Sequence, residues 1–145
     1  MRVSSAVALA LVLAACGQAP RSPAAGFDSS QLSGWRAESF DDSEACAATN
    51  VRSQYIISRD GKRLLMKMDR KWKTGLGELD SVEATVLAAS PRSLTIQYDG
   101  ETRVDAAGKT VAWELVIVAP GLYRWRETSW ESGKVNIVVG VRCSQ

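Results

Sequence analysis

The chain has no histidine among its 145 residues. That absence removes Ser-His-Asp and Cys-His nucleophile activation, the commonest general base, and most zinc and copper sites. Cysteine is scarce too, with three in all and no Cys-x-x-C pair on which thiol redox chemistry would rest. Charge of one sign is also missing. The 18 Lys and Arg against 16 Asp and Glu leave a formal +2, to which Arg2 contributes. Nucleic-acid-binding domains are strongly basic, so this balance argues against a nucleic-acid partner. Past residue 15 no apolar run approaches the ~20 residues of a membrane-spanning helix. A phosphate-cradling loop is lacking as well, because Gly75-Leu76-Gly77 is not followed by Lys-Ser/Thr. Adjacent carboxylates do occur, at Asp41/Asp42, Glu78/Asp80 and Glu127/Glu131. Their closeness in sequence suits solvated turns better than the opposed pair a glycosidase needs. Asp41, Asp42 and Glu44 lack the spaced ligands of a calcium loop and read as cap chemistry. The expectation is a protein that is not an enzyme and carries no cofactor and no metal.

What is present begins at the N-terminus. Arg2 precedes an apolar run over residues 6–15, the length of a secretory h-region. It ends in Leu13-Ala14-Ala15-Cys16-Gly17, which resembles the lipobox of bacterial lipoproteins. The resemblance implies a signal peptide over residues 1–15 and lipidation of Cys16. It also implies a diacylglycerol thioether plus an N-acyl chain, more than one chain being needed for stable anchoring. Gly17 stands where Asp would retain such a protein in the inner membrane, so an outer-membrane anchor facing the periplasm is implied. Residues 16–26, rich in Pro, Ala and Gly, read as a lipidated tether, and residues 27–145 as one domain.

With Cys16 assigned to lipid, Cys46 and Cys143 remain, and an oxidising compartment makes them one structural disulfide. Residues 31–40 are open between a first short strand and an irregular lead-in. Asp41-Asp42-Ser43 ahead of residues 44–48 predicts a short N-terminal helix. From Val51 onward turn signals recur at Asp60-Gly61, Asp99-Gly100, Ala107-Gly108, Pro120-Gly121 and Ser132-Gly133. Between them the pattern has period two. Leu64, Met66 and Met68 share a face, as do Leu94, Ile96 and Tyr98, and Val111, Trp113, Leu115 and Ile117. Val135, Ile137, Val139, Val141 and Cys143 form the cleanest row, which parity places toward the core.

Eight strands are expected, at about 51–58, 62–70, 81–89, 92–99, 102–105, 109–118, 121–130 and 134–143. The segment 79–89 also fits a helix through Leu79, Val82, Val86 and Ala89, though Thr85 and the valines favour strand. The fold class that follows is all-β: an antiparallel meander closed as a small up-and-down barrel or left as a curved sheet. A barrel this small is expected to be filled mostly by side chains.

Two stretches interleave cations with aromatics. The loop around Lys71, Trp72 and Lys73 is the better candidate for ligand contact, since Trp72 is hard to bury there. Its lysines also suit anionic headgroups. The second stretch, Tyr123-Arg124-Trp125-Arg126, offers Arg124 and Arg126 as ligand contacts, or aromatics that are simply core.

The meander from Val51 to Cys143 in a lipidated chain resembles the calycin-like small barrels, which include lipocalins and lysozyme-inhibitor lipoproteins. The chain departs from both signatures. Gly34-Trp35 has no spacer where lipocalins have Gly-x-Trp, and Ser132-Gly133 is followed by Lys134-Val135 rather than Tyr. No functional position transfers. The expected function is a binding module for an apolar, glycan or envelope ligand, or alternatively a protein-protein module (a hydrolase inhibitor or an envelope-assembly subunit).

Overall fold

The computed structural model describes residues 22–75 and 77–144. The expected signal peptide and Cys16, the expected lipidation position, lie outside the described residues.

Eight antiparallel strands run in sequence order and close into a barrel. They are β1 (Arg36–Ser39), β2 (Arg52–Ile57), β3 (Arg63–Thr74), β4 (Gly77–Ser90), β5 (Ser93–Tyr98), β6 (Trp113–Ala119), β7 (Leu122–Glu127) and β8 (Val139–Arg142). Closure comes from β1 pairing with β8 over four residues, from Arg36↔Arg142 to Ser39↔Val139. It removes the free sheet edges that would otherwise invite aggregation.

The count of eight agrees with the sequence reading, but two members change. Residues 102–105 are not a strand and contribute only the isolated bridge Val104↔Thr110. The eighth strand is β1, from the stretch left open as strand or lead-in. The predicted helix at 44–48 is also absent. Residues 41–50 form successive tight turns, Ala45 N–H to Asp42 O (3.4 Å) and Ala47 N–H to Glu44 O (3.0 Å) among them. Asp41 spends its carboxylate on Ser43, accepting its N–H at 2.9 Å and its hydroxyl at 2.6 Å. A segment this short cannot meet the cost of helix nucleation, and the disulfide at Cys46 holds it against the barrel wall instead. The helical turn that does form is a 3-10 turn over Ser29–Leu32, capped by Asp28.

The segment 79–89 is strand. A bulge between Val86 and Ala88 shifts its register against β5. Val82, Ala84, Val86 and Ala89 turn inward as a result, a spacing that imitates a helix. The described residues of 71–77, expected as a loop, belong to the end of a long β3–β4 hairpin, with Trp72 paired to Leu79 and Thr74 to Gly77. The strand continues because the irregularity between Lys67 and Trp72 is pinned. There Asp69 accepts the Arg52 N–H at 3.2 Å and its Nε at 3.0 Å.

One end of the barrel is filled. Leu64, Leu94, Ile96, Leu115 and Ile117 interlock there, and Leu32 with Phe27 plugs the bottom. Arg36, with no exposed surface, donates from Nη1 to Gly121 O at 2.8 Å and from Nη2 to Gln31 O, tying the plug to the β6–β7 hairpin. Residues 22–26, read as the end of the tether, turn against the β2–β3 hairpin, where the Ser22 hydroxyl donates to Asp60 O at 2.7 Å.

The row on β8 corrects the expected core assignment. Val139, Val141 and Cys143 are buried, but with Ala37, Ala45 and Leu122 in a second cluster. That cluster lies outside the barrel, because Ala37 and Val141 are registered opposite each other while their neighbours Glu38 and Gly140 face inward. Ile137 is exposed. The disulfide between Cys46 and Cys143 forms, with Cα atoms 5.4 Å apart.

Candidate functional site

The opposite end of the barrel is not filled, contrary to expectation. Here the strands β3 and β4 run long, and the loops 101–110 and 128–138 contribute Glu101, Thr102, Arg103, Asn136 and Val138 to its lining. They enclose a cavity of about 730 Å³ that opens to solvent. Its apolar wall comes from Met66 and Met68 of β3, Val82 of β4, Tyr98 of β5, Trp113 of β6 and Trp125 of β7. These are the inward rows of the period-two pattern, continued past the point where they meet side chains from the opposite wall.

Toward the floor stands Glu38, inward on β1 and exposed to the cavity it lines. Its Oε1 accepts from Tyr55 Oη at 3.1 Å, Tyr123 Oη at 3.1 Å and Trp125 Nε1 at 2.9 Å. The two phenols also lie 3.0 Å apart, so their two protons serve three O···O contacts. The rings pack edge to face, with Tyr55 and Tyr123 centroids at 5.6 Å and Tyr123 and Trp125 at 6.4 Å. Such geometry satisfies the polar tips of rings that would be costly to bury unpaired. One flexible carboxylate is thereby fixed by three rigid donors from two other strands.

The chain's three tyrosines all belong to this interior. Burial pushes the Tyr55, Tyr98 and Tyr123 hydroxyls well above the ordinary phenol range, and the Glu38 charge pushes each of them further. Raised folded-state values mean the stabilisation is complete below the unfolded phenol pKa of about 10 and is lost as pH climbs beyond it. Ultraviolet titration of tyrosinate is therefore expected to show almost no signal until alkaline unfolding, when all three ionise together. A smooth titration near pH 10 in folded protein would contradict the buried network.

At the rim Arg103 donates to Glu101 from Nε at 2.9 Å and again from Nη2. The pair holds the Glu101 carboxyl below its usual range. Arg103 also lies over the Trp113 ring, 5.7 Å from its centroid. Thr49 and Asn50 reach the mouth from the disulfide-pinned segment.

Of the candidate contacts named from sequence, Trp72 alone lines the cavity, at its mouth and 53% exposed. Lys71 and Lys73 flank it on β3 as exposed side chains outside the lining. Arg124 and Arg126 point away from the interior, opposite in parity to Tyr123 and Trp125. Arg124 donates to Asn136 O at 3.1 Å, and Arg126 to Trp130 O at 2.7 Å and Glu131 O at 3.2 Å. They brace the segment between β7 and β8. Sequence reading missed Glu38, which sits in the stretch left open between strand and lead-in. The signal available was Trp35 to Ser39, where Arg36 and Glu38 alternate with the small apolar Ala37.

The chain matches no protein-family model, no curated protein and no solved structure.

Proposed function

We propose that this protein is a lipid-anchored envelope protein whose barrel holds an amphipathic small molecule without transforming it. The observation that carries the reading is the cavity of about 730 Å³ above a well-packed floor. That volume falls within the ~300–1,000 Å³ of small-molecule sites, and its mixture of rings, thioethers and a few convergent polar groups is their usual chemistry. A barrel shaped only for stability would fill this space, since each void costs dispersion contacts. Membrane attachment through Cys16 and an outer-membrane address facing the periplasm rest on the Leu13-Ala14-Ala15-Cys16-Gly17 motif. Mass analysis of the mature N-terminus tests them directly. An unmodified, uncleaved Met1 would remove the anchor while leaving the binding reading intact.

Native mass spectrometry of delipidated protein from its source should find a retained small molecule. Titration with the neutral fluorophore N-phenylnaphthylamine should saturate at one site. Trp72→Ala is expected to weaken that binding by about tenfold, the worth of one aromatic contact, while the Tm stays within a few degrees. Unfolding by this substitution, or absence of saturable binding, would count against the reading.

A second reading as a protein-protein module has its own support. Phe40, Val104 and Ile137 are 75%, 62% and 70% exposed, on segments that join strands at the open end. Co-purification of a stoichiometric protein in place of a small molecule would favour it.

A further inference from the structure

We infer that the ligand of this cavity carries a positively charged nitrogen, an alkyl or aryl ammonium seated on Glu38. The inference rests on the binding reading above and specifies its chemistry. Four ionisable side chains that line the cavity matter here: Arg36, Glu38, Glu101 and Arg103. Arg36 gives its Nη donors to backbone carbonyls and belongs to no ion pair among the described residues. Its Nε has no partner among them, but the side chain has no exposed surface to offer a ligand. Glu101 and Arg103 neutralise each other at the rim. Glu38 belongs to no ion pair among the described residues.

Its three partners are neutral, so they orient the carboxylate without cancelling its charge. They occupy Oε1, whereas Oε2 makes no hydrogen bond among the described residues. An oriented negative charge with one oxygen open to the cavity is a seat for a donor, and a cationic donor gains most from it. The walls agree. Tyr98, Trp113 and Trp125 present rings around the same space, and ring faces attract cations within about 6 Å. The Trp125 centroid lies 6.5 Å from that of Tyr98. Met66 and Met68 then supply adaptable apolar surface for the body of the molecule. An anionic ligand would meet Glu38 first, and of the lining cations Arg103 is paired with Glu101 while Arg36 exposes no surface.

Three probes that share one alkyl chain isolate the head group: decylammonium, decanol and decanoate. Each is titrated below its micelle-forming concentration at neutral pH. Intrinsic tryptophan fluorescence reports occupancy, because Trp72, Trp113 and Trp125 line the site. Decylammonium is expected to bind about tenfold more tightly than decanol, and decanoate most weakly of the three. Glu38→Gln keeps an acceptor oxygen for the three donors and removes the charge, so it should bring decylammonium to the level of decanol. Equal binding of all three probes, or a preference for decanoate, would overturn the inference and leave the binding reading standing. Failure of every probe to bind would overturn both. Should Glu38→Gln lower the Tm sharply, the head-group order in the unmodified protein still decides the matter.

Discussion

Replacing Cys46 and Cys143 together by serine is expected to lower the unfolding free energy by ~4 kcal/mol. The two residues are 97 apart in sequence, and the chain-entropy model assigns about 4–5 kcal/mol to a cross-link of that reach. Against a typical domain stability of ~5–15 kcal/mol, such a loss is a large share of the whole. Location adds to length. The barrel closes where its ladders are shortest: β1 meets β2 over two registered pairs, and β7 meets β8 over two. The bridge ties the segment between β1 and β2 to the residue after β8, across that seam. Cys143 N–H also donates to Trp35 O at 2.9 Å, extending the β1–β8 ladder by one bond. Denaturant melts of the oxidised protein and the double variant give the difference directly. A change below ~1 kcal/mol would mean that the second cluster of Ala37, Ala45, Val139 and Val141 holds the seam alone.

Gly140→Ala is expected to cost ~3 kcal/mol, at the upper end of ordinary overpacking, and to lower the Tm by about 10 °C. A methyl group at this position would fall 2.0 Å from Tyr123 Cζ and 2.3 Å from Cε1. Nothing flexible can yield. Tyr123 is registered directly across from Gly140, packs edge to face on Tyr55 and Trp125, and holds Glu38 through its hydroxyl. The ring must therefore leave its place or the β7–β8 ladder must open, and either outcome disturbs the floor of the cavity. Combining Gly140→Ala with Tyr123→Leu separates the two sources of loss. If the clash with Tyr123 is the cause, the double variant should be more stable than the sum of the single losses requires. Strict additivity would show that Gly140 serves its strand for a reason other than room for that ring.

Most of the barrel was legible because its inward faces follow period two without interruption. Leu94, Ile96 and Tyr98, or Trp113, Leu115 and Ile117, are recognisable as single faces from their spacing alone. Legibility failed wherever the ladder is irregular. The bulge at Val86 and Ala88 turned a strand into an apparent helix, and the pinned irregularity after Lys67 carried β3 through a stretch that reads as a loop. The last strand failed differently. Its inward residue is a glycine, which leaves no apolar signal, while the outward valines are covered by a segment about 90 residues earlier in the chain. The site was hidden for a related reason. Glu38 occupies a four-residue strand too short to show a period, and its three donors come from β2 and β7.

Sequence by itself therefore determined the all-β class, the antiparallel order and the single disulfide, each resting on neighbouring residues, turn chemistry or cysteine count. Tertiary structure alone decided which face of each wall looks inward at a bulge, where the filling stops and a cavity begins, and which carboxylate stands inside it. Those outcomes depend on the mutual register of strands distant in sequence and on the volume left between opposite walls. No local pattern encodes either quantity.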